Sequence, residues 1–223
     1  MPSKRQTASQ FTQAVLEAET TPATLVQIVE HGFEQIAEAQ TASHAPLACA
    51  AGCAFCCYHP VDITAPEAFV LAAYLRTALS DVEFEAIAAR LAANAERIQA
   101  LSHDAHALAK IPCALLDNGQ CGVYAARPFA CRAWHSMSAA RCEAIFTHGD
   151  PLSMIPPLDM ELYHTQWDVV YGMAAGLRQA GLDDRPYELH SMLHRVLDVP
   201  DAEARWLQGE EVFAGCTPGA FFD

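Results

Sequence analysis

Nine cysteines in 223 residues carry most of the chemistry legible in this chain. Eight fall into two sets, Cys49, Cys53, Cys56 and Cys57, then Cys113, Cys121, Cys131 and Cys142. The spacing Cys49-x3-Cys53-x2-Cys56 lets a turning loop aim successive thiolates at one point, as zinc and iron–sulfur sites require. Such a loop need not fold by itself, because ligation supplies free energy that local packing does not. Neighbouring side chains diverge, so Cys56 and Cys57 are a strained pair for one tetrahedral ion. One of them serves a second metal, bridges two metals, or stays free. The second set has gaps of 7, 9 and 10 residues, which are not diagnostic alone, yet a hairpin and its following turns can carry all four to the first loop. Eight thiolates make two four-ligand sites, or one cluster and one mononuclear site. Cys216 stands apart and reads as a packed or free thiol.

Other side chains are candidates for supporting roles. His59 and His135 lie near cysteines in sequence, and imidazole suits zinc and iron, so each is an extra ligand or a neighbour of the ligands. Arg127 and Arg132 flank Cys131; their fixed charge would offset a thiolate-rich site, or pair with one of the many carboxylates. Tyr124 is expected as a packed ring. His190 and His194, four apart on a helix, read as a surface pair, as do His103 and His106. Trp167, Tyr171 and Trp206 read as helical core or a dimer face. No Gly-rich phosphate cradle or nucleophile elbow is present, so the sequence identifies no reaction, and any oxidoreductase chemistry would have to come from the metal.

Composition narrows the classes. With 13 Lys+Arg against 27 Asp+Glu and a net charge of -14, the chain has no electrostatic footprint for a phosphate backbone, so no nucleic-acid partner is expected. Hydrophobic residues make up 52%, enough for a core. Met1 to Gln10 are polar, and no apolar run reaches the ~18 residues of a membrane span. A cytoplasmic protein with reduced, metal-holding cysteines is the expectation. A protein partner or homo-oligomer is compatible but not indicated.

The elements that would position the cysteines follow from periodicity and caps. Two helices are expected in residues 1–45, the second starting at Thr21-Pro22 with Leu25, Ile28, Val29, Phe33 and Ile36 at helical spacing. Residues Pro46 to Val61 form the cysteine loop, with Gly52 and Pro60 as breakers. Thr64-Ala-Pro-Glu67 and Ser80-Asp-Val-Glu83 are capping boxes, predicting helices to about Leu79 and from Ser80 to roughly Leu108. Asp117-Asn118-Gly119 predicts a small hairpin between Cys113 and Tyr124. Helices follow at Ser138–Phe146, Leu158–Ala180, Tyr187–Leu197 and Asp201–Leu207. The expectation is a mostly α fold, a helical domain around an irregular cysteine centre with one small β-hairpin. It divides into N-terminal helices (1–45), a cysteine-cluster core (46–150) and a C-terminal helical region packed on it (151–223), read as one globular domain.

Ala48-Cys-Ala-Ala-Gly-Cys-Ala-Phe-Cys-Cys57 with Val61-Asp-Ile-Thr-Ala-Pro-Glu67 resembles the opening of the YkgJ-type cysteine-cluster family, often called CxxCxxCC. Ile111-Pro-Cys-Ala-Leu-Leu116, Gly119-Gln-Cys-Gly-Val-Tyr124, Arg127-Pro-Phe-Ala-Cys-Arg132 and Cys142 continue the match in order. The first gap departs from it, with three residues instead of two. The resemblance implies zinc or iron, including the case of an iron–sulfur cluster, held by Cys49, Cys53, Cys56, Cys57, Cys113, Cys121, Cys131 and Cys142. Cys49-x3-Cys53-x2-Cys56 is also the spacing of radical S-adenosylmethionine enzymes, but the helical surroundings lack their βα units. The leading expectation is a metal-binding cysteine-cluster protein. The alternatives are an iron–sulfur oxidoreductase or electron carrier, and a zinc-stapled helical interaction module.

Overall fold

The computed structural model describes residues 2–149 and 155–220. Helix α1 (Lys4–Ala18) starts at a capping box between Ser3 and Gln6, and α2 (Pro22–Ala42) starts with Pro22 in its first turn. Leu25, Ile28, Val29 and Ile36 are buried on one face of α2, as their spacing predicts. A 3-10 turn at Phe55–Tyr58 and a two-residue strand β1 (Asp62–Ile63) lead into α3 (Ala65–Ala78). Helix α4 (Asp81–Gln99) begins at the Ser80–Glu83 box.

The expected continuation to Leu108 is interrupted. Ser102 accepts the amide of Ala105 at 3.2 Å and caps a separate α5 (His103–Ala109). The Ser hydroxyl offers the chain a new start that apolar periodicity alone conceals. Lys110 then ends α5 at φ 47°.

The hairpin is present but short, with β2 (Leu116–Asp117) antiparallel to β3 (Gln120–Cys121). Asn118 and Gly119 both have positive φ, 47° and 77°, the conformation of a tight two-residue hairpin turn. After a 3-10 turn at Tyr124–Ala126 come α6 (Phe129–Ala133), α7 (Ala139–His148) and α8 (Met160–Gln179). The expected helix from Tyr187 opens instead with a strand, β4 (Tyr187–Glu188), followed by α9 (Leu189–Asp198) and α10 (Ala202–Leu207). β4 pairs antiparallel with β1, so among the described residues there are two small strand pairs where one was expected.

Helix α8 is the spine. It packs along α1 and also meets α2 and α6, while α9 packs on α3 and α4. A Cβ on Gly172 would lie 2.4 Å from the Arg5 carbonyl oxygen, so the α1–α8 contact requires a residue without a side chain there. Phe69 of α3, Trp206 of α10 and Phe213 meet in the core, with ring centroids 5.5 and 5.8 Å from Phe69. One cluster of buried apolar residues runs from Leu16 to Cys216. The expected segment boundary at 150/151 lies outside the described residues.

Candidate metal centre

The clustered cysteines sit on turns, a short strand and two short helices. The gap between Cys49 and Cys53 is a turn closed by the Cys53 amide on the Ala50 carbonyl (3.0 Å), with Gly52 at φ 90°. Cys56 and Cys57 ride on the 3-10 turn. Cys113 precedes the hairpin, Cys121 ends its second strand, Cys131 lies in α6 and Cys142 in α7. Phe146, one turn after Cys142, packs its ring 5.8 Å from Phe55 and 4.8 Å from Tyr58, docking α7 on the 3-10 turn.

The two sulfur sets meet. Cys53, Cys56, Cys57, Cys113, Cys121 and Cys131 all line one small cavity of about 70 Å³. Cys49 and Cys142 do not line it, but Cys142 adds to the rise of Cys53, and Cys49, raised chiefly by burial, is raised further by Cys56, Cys53 and Cys142. Cys56 belongs to both neighbourhoods, since it also acts on Cys113, Cys121 and Cys131. All eight are free, partly buried thiols. Among the described residues, no three Cys, His, Asp or Glu side chains are yet arranged as a formed metal site.

The electrostatics are those of neutral thiols in search of a cation. Burial pushes up Cys49, Cys53, Cys121 and Cys131, and takes Cys113 to about 11. Cys56 is raised chiefly by the hydrogen bond with the Cys57 thiol, then by burial. A bound metal reverses this balance, because its charge stabilises thiolate directly. Arg127 is the permanent cation among the described residues of the cavity wall, and it lowers Cys56, Cys121 and Cys131. Its Nε is buried without a hydrogen-bond partner. A buried guanidinium donor left open beside six thiols fits an anionic thiolate centre, which would supply both the acceptor and the counter-charge. The cavity's donors, six thiols with the His59 and His190 imidazoles and no carboxylate, suit zinc or iron over magnesium or calcium.

Residues 48–148 match the family described as "CxxCxxCC: Putative zinc- or iron-chelating domain". The matched segment contains all eight clustered cysteines. No curated protein and no solved structure matches the chain.

Within the matched segment the supporting residues divide. His59 lines the thiol cavity and a larger one beside it, and burial lowers its pKa. His135 is buried with an unpartnered Nδ1 and lines neither cavity, while the backbone on either side of it meets Cys49 Sγ. Arg132 also stays off the cavity. Its guanidinium donates to the Arg127 and Ala125 carbonyls and lies 3.8 Å from the Phe33 ring. Among the described residues neither arginine pairs with a carboxylate. Tyr124 packs under Arg127, centroid to Cζ 3.8 Å. Cys216 is a buried core thiol directed at the Ser191 carbonyl.

Two positioning residues escaped the sequence reading. Glu67, expected only as a capping partner, accepts from the Thr64 amide and hydroxyl with Oε2 and from the Phe129 amide with Oε1, at 2.9, 2.8 and 2.8 Å. It thereby ties α3 to the start of α6, which carries Cys131. His190, expected on a helix surface, is buried. Its Nε2 accepts the Ala114 amide at 3.1 Å, so Nδ1 carries the proton and donates to Glu188 at 2.6 Å. That fixes the backbone directly after Cys113. His106 is likewise buried, correcting its surface reading, whereas His103 is exposed. A capping-box signature hid the first role, and the second has no sequence signal.

Proposed function

We propose that this protein chelates zinc or iron through Cys49, Cys53, Cys56, Cys57, Cys113, Cys121, Cys131 and Cys142. The observation that carries the reading is the single cavity walled by six cysteines from both sets and by Arg127. Ligation draws the thiols inward and closes the shell, and its free energy holds together a segment built of turns and two-residue strands. Cys56, central to both neighbourhoods, is the thiolate placed to bridge two ions or two parts of a cluster. Arg127 and Glu67 support the site from outside, the first by charge and the second by holding α6. The three segments 1–45, 46–150 and 151–223 act as one unit around it.

A second reading, metal-dependent chemistry, is favoured over a closed structural staple by one feature. A cavity of about 280 Å³ adjoins the thiols and shares Cys56, His59 and Cys131 with them. An ion here would have a neighbouring chamber in which a small molecule can approach it.

Anaerobic purification followed by elemental analysis and an absorption spectrum tests the proposal. Stoichiometric zinc in a colourless protein, or iron with visible absorption that bleaches on reduction, supports chelation and decides the metal. Bleaching iron–sulfur bands would favour the redox form of the function. A purified chain without either metal, unable to take it up and with all its thiols open to titration, would overturn it.

A further inference from the structure

The larger cavity is walled mostly by carbon, including Pro60, Pro186 and Trp134. Helix α8 adds Tyr163, Gln166, Trp167 and Val170, at i, i+3, i+4 and i+7. Trp167, expected in a helical core or at a dimer face, lines the space while its ring packs on Tyr163 and Tyr171, with centroids 6.3 and 5.7 Å away. Several polar side chains on the wall already have partners inside the protein. The Thr64 hydroxyl donates to Glu67 at 2.8 Å, and the Asp62 carboxylate accepts the Ala220 amide at 3.0 Å. Burial and then Glu188 raise the Asp62 carboxyl, while the Ala220 amide and His103 hold it down. His103 Nδ1 also lies 3.8 Å from Asp104. Cys56, His59 and Cys131 are shared with the thiol cavity.

Gln166 is different. It is only 5% exposed, yet no described residue hydrogen-bonds its carboxamide. Gln35 of α2 is also buried without partners, but its amide atoms are sealed in the packing and it lines neither cavity. Gln166 lines this one, and its amide is not among the sealed atoms. A buried carboxamide is rarely left without hydrogen bonds, so those of Gln166 fall to whatever occupies the cavity. Its Nε2 donates and its Oε1 accepts, side by side, a pattern that a second carboxamide complements with two antiparallel bonds. A carboxylate offers acceptors alone and leaves Oε1 unmatched, and an ammonium offers donors alone and leaves Nε2 unmatched. Either ion would also give up its water among carbon walls.

We infer that the cavity binds a small uncharged carboxamide with an apolar body, its amide paired edge to edge with Gln166 and its body against the carbon wall. A volume of about 280 Å³ suits a small guest. Such a guest would occupy the chamber invoked for metal-dependent chemistry, yet Gln166 and the cavity hold it whether or not an ion is bound.

The probes 3-phenylpropanamide, 4-phenyl-2-butanone, 3-phenylpropanoate and 3-phenylpropylamine share a ring and chain and differ at the polar end. Titrated at neutral pH into the protein as purified, the amide should change tryptophan fluorescence saturably. It should bind about tenfold tighter than the ketone, which accepts a hydrogen bond but donates none. The acid and the amine should bind about tenfold or more weakly than the amide. Gln166→Leu, similar in size, should bring amide and ketone to equal affinity, a change of ratio that a general loosening of the fold would not produce. Circular dichroism confirms that the variant is folded. No saturable binding of the amide, an affinity matched by the ketone, acid or amine, or an unchanged amide-to-ketone ratio in folded Gln166→Leu would overturn the inference. Metal content measured on the same samples separates the two proposals, since metal without amide binding sinks only this one, and amide binding without metal sinks only chelation.

Discussion

The amide of Cys113 donates a 2.8 Å hydrogen bond to the carbonyl of Cys57. This one contact joins the backbone of the first cysteine loop to the backbone entering the hairpin. The sulfur sets are therefore brought together before any ion is considered. Ala48 and Ser136 make a similar link at 2.8 Å, and the Ser136 amide donates to Cys49 Sγ at 3.2 Å. Metal binding has only to complete an approach that peptide hydrogen bonds begin.

Removing a thiol from the cavity should act on metal and stability together. Cys53→Ser should lower bound metal and reduce Tm by roughly 5–10 °C. Cys216→Ser, in the apolar core, should leave metal content unchanged and cost about 1 kcal/mol through a buried hydroxyl in place of a thiol. Elemental analysis and thermal melts on both variants check this. Equal effects on metal would contradict the assignment.

The metal-free protein should lose stability in alkali. Cys113 is raised to about 11 in the fold from an ordinary 9.0. Below pH 9 the thiol is protonated in both folded and unfolded chains, and its contribution is intact. Between 9 and 11 the unfolded chain releases the proton and the folded chain keeps it, so stability falls as pH rises. Bound metal reverses the sign, since ligation requires thiolate and is weakened by acid. Melts from pH 8 to 10.5, with and without chelator, should show a steeper fall for the metal-free form.

Glu67→Gln should be costly despite its near-identical shape. All three bonds to the carboxylate are donated to it, by two amides and a hydroxyl. An amide side chain turns an N–H group toward at least one of those donors. A loss of about 1–3 kcal/mol is expected, with weaker metal retention because α6 positions Cys131. Denaturant melts and metal competition against a chromophoric chelator measure the two effects.

Gly172→Ala should damage the scaffold and spare the centre. The added methyl would sit 2.4 Å from the Arg5 carbonyl oxygen and 2.7 Å from Ala8 Cβ, forcing α1 away from α8. A cost of about 1–3 kcal/mol is expected. Metal content per folded molecule should match the parent, which elemental analysis of the purified variant would show.

Much of the local structure is legible in the sequence because its causes are local. The Thr64–Glu67 and Ser80–Glu83 boxes, Pro22 at a helix start and Asn118-Gly119 at a tight turn place helices and hairpin where the chain has them. Where a local cause was masked, the reading failed, as at Ser102, whose cap splits an apolar-periodic stretch that looks continuous. The β1–β4 pair was illegible for a different reason. Two residues per strand carry no periodicity, and their partners are set by where α3 and α9 pack.

The sequence by itself determined the donor chemistry, the helical scaffold and the acidic charge, because side-chain type, capping and periodicity act over a few residues. Only the tertiary structure decided which residues face one another. It joined Cys57 to Cys113, kept Arg127 on the thiol cavity while leaving His135 and Arg132 off it, and gave Glu67 and His190 their positioning roles. It also opened a second cavity beside the thiols. Those relationships depend on the packing of segments distant in the chain, where burial and hydrogen bonding are settled jointly by all the partners and by no single stretch of residues.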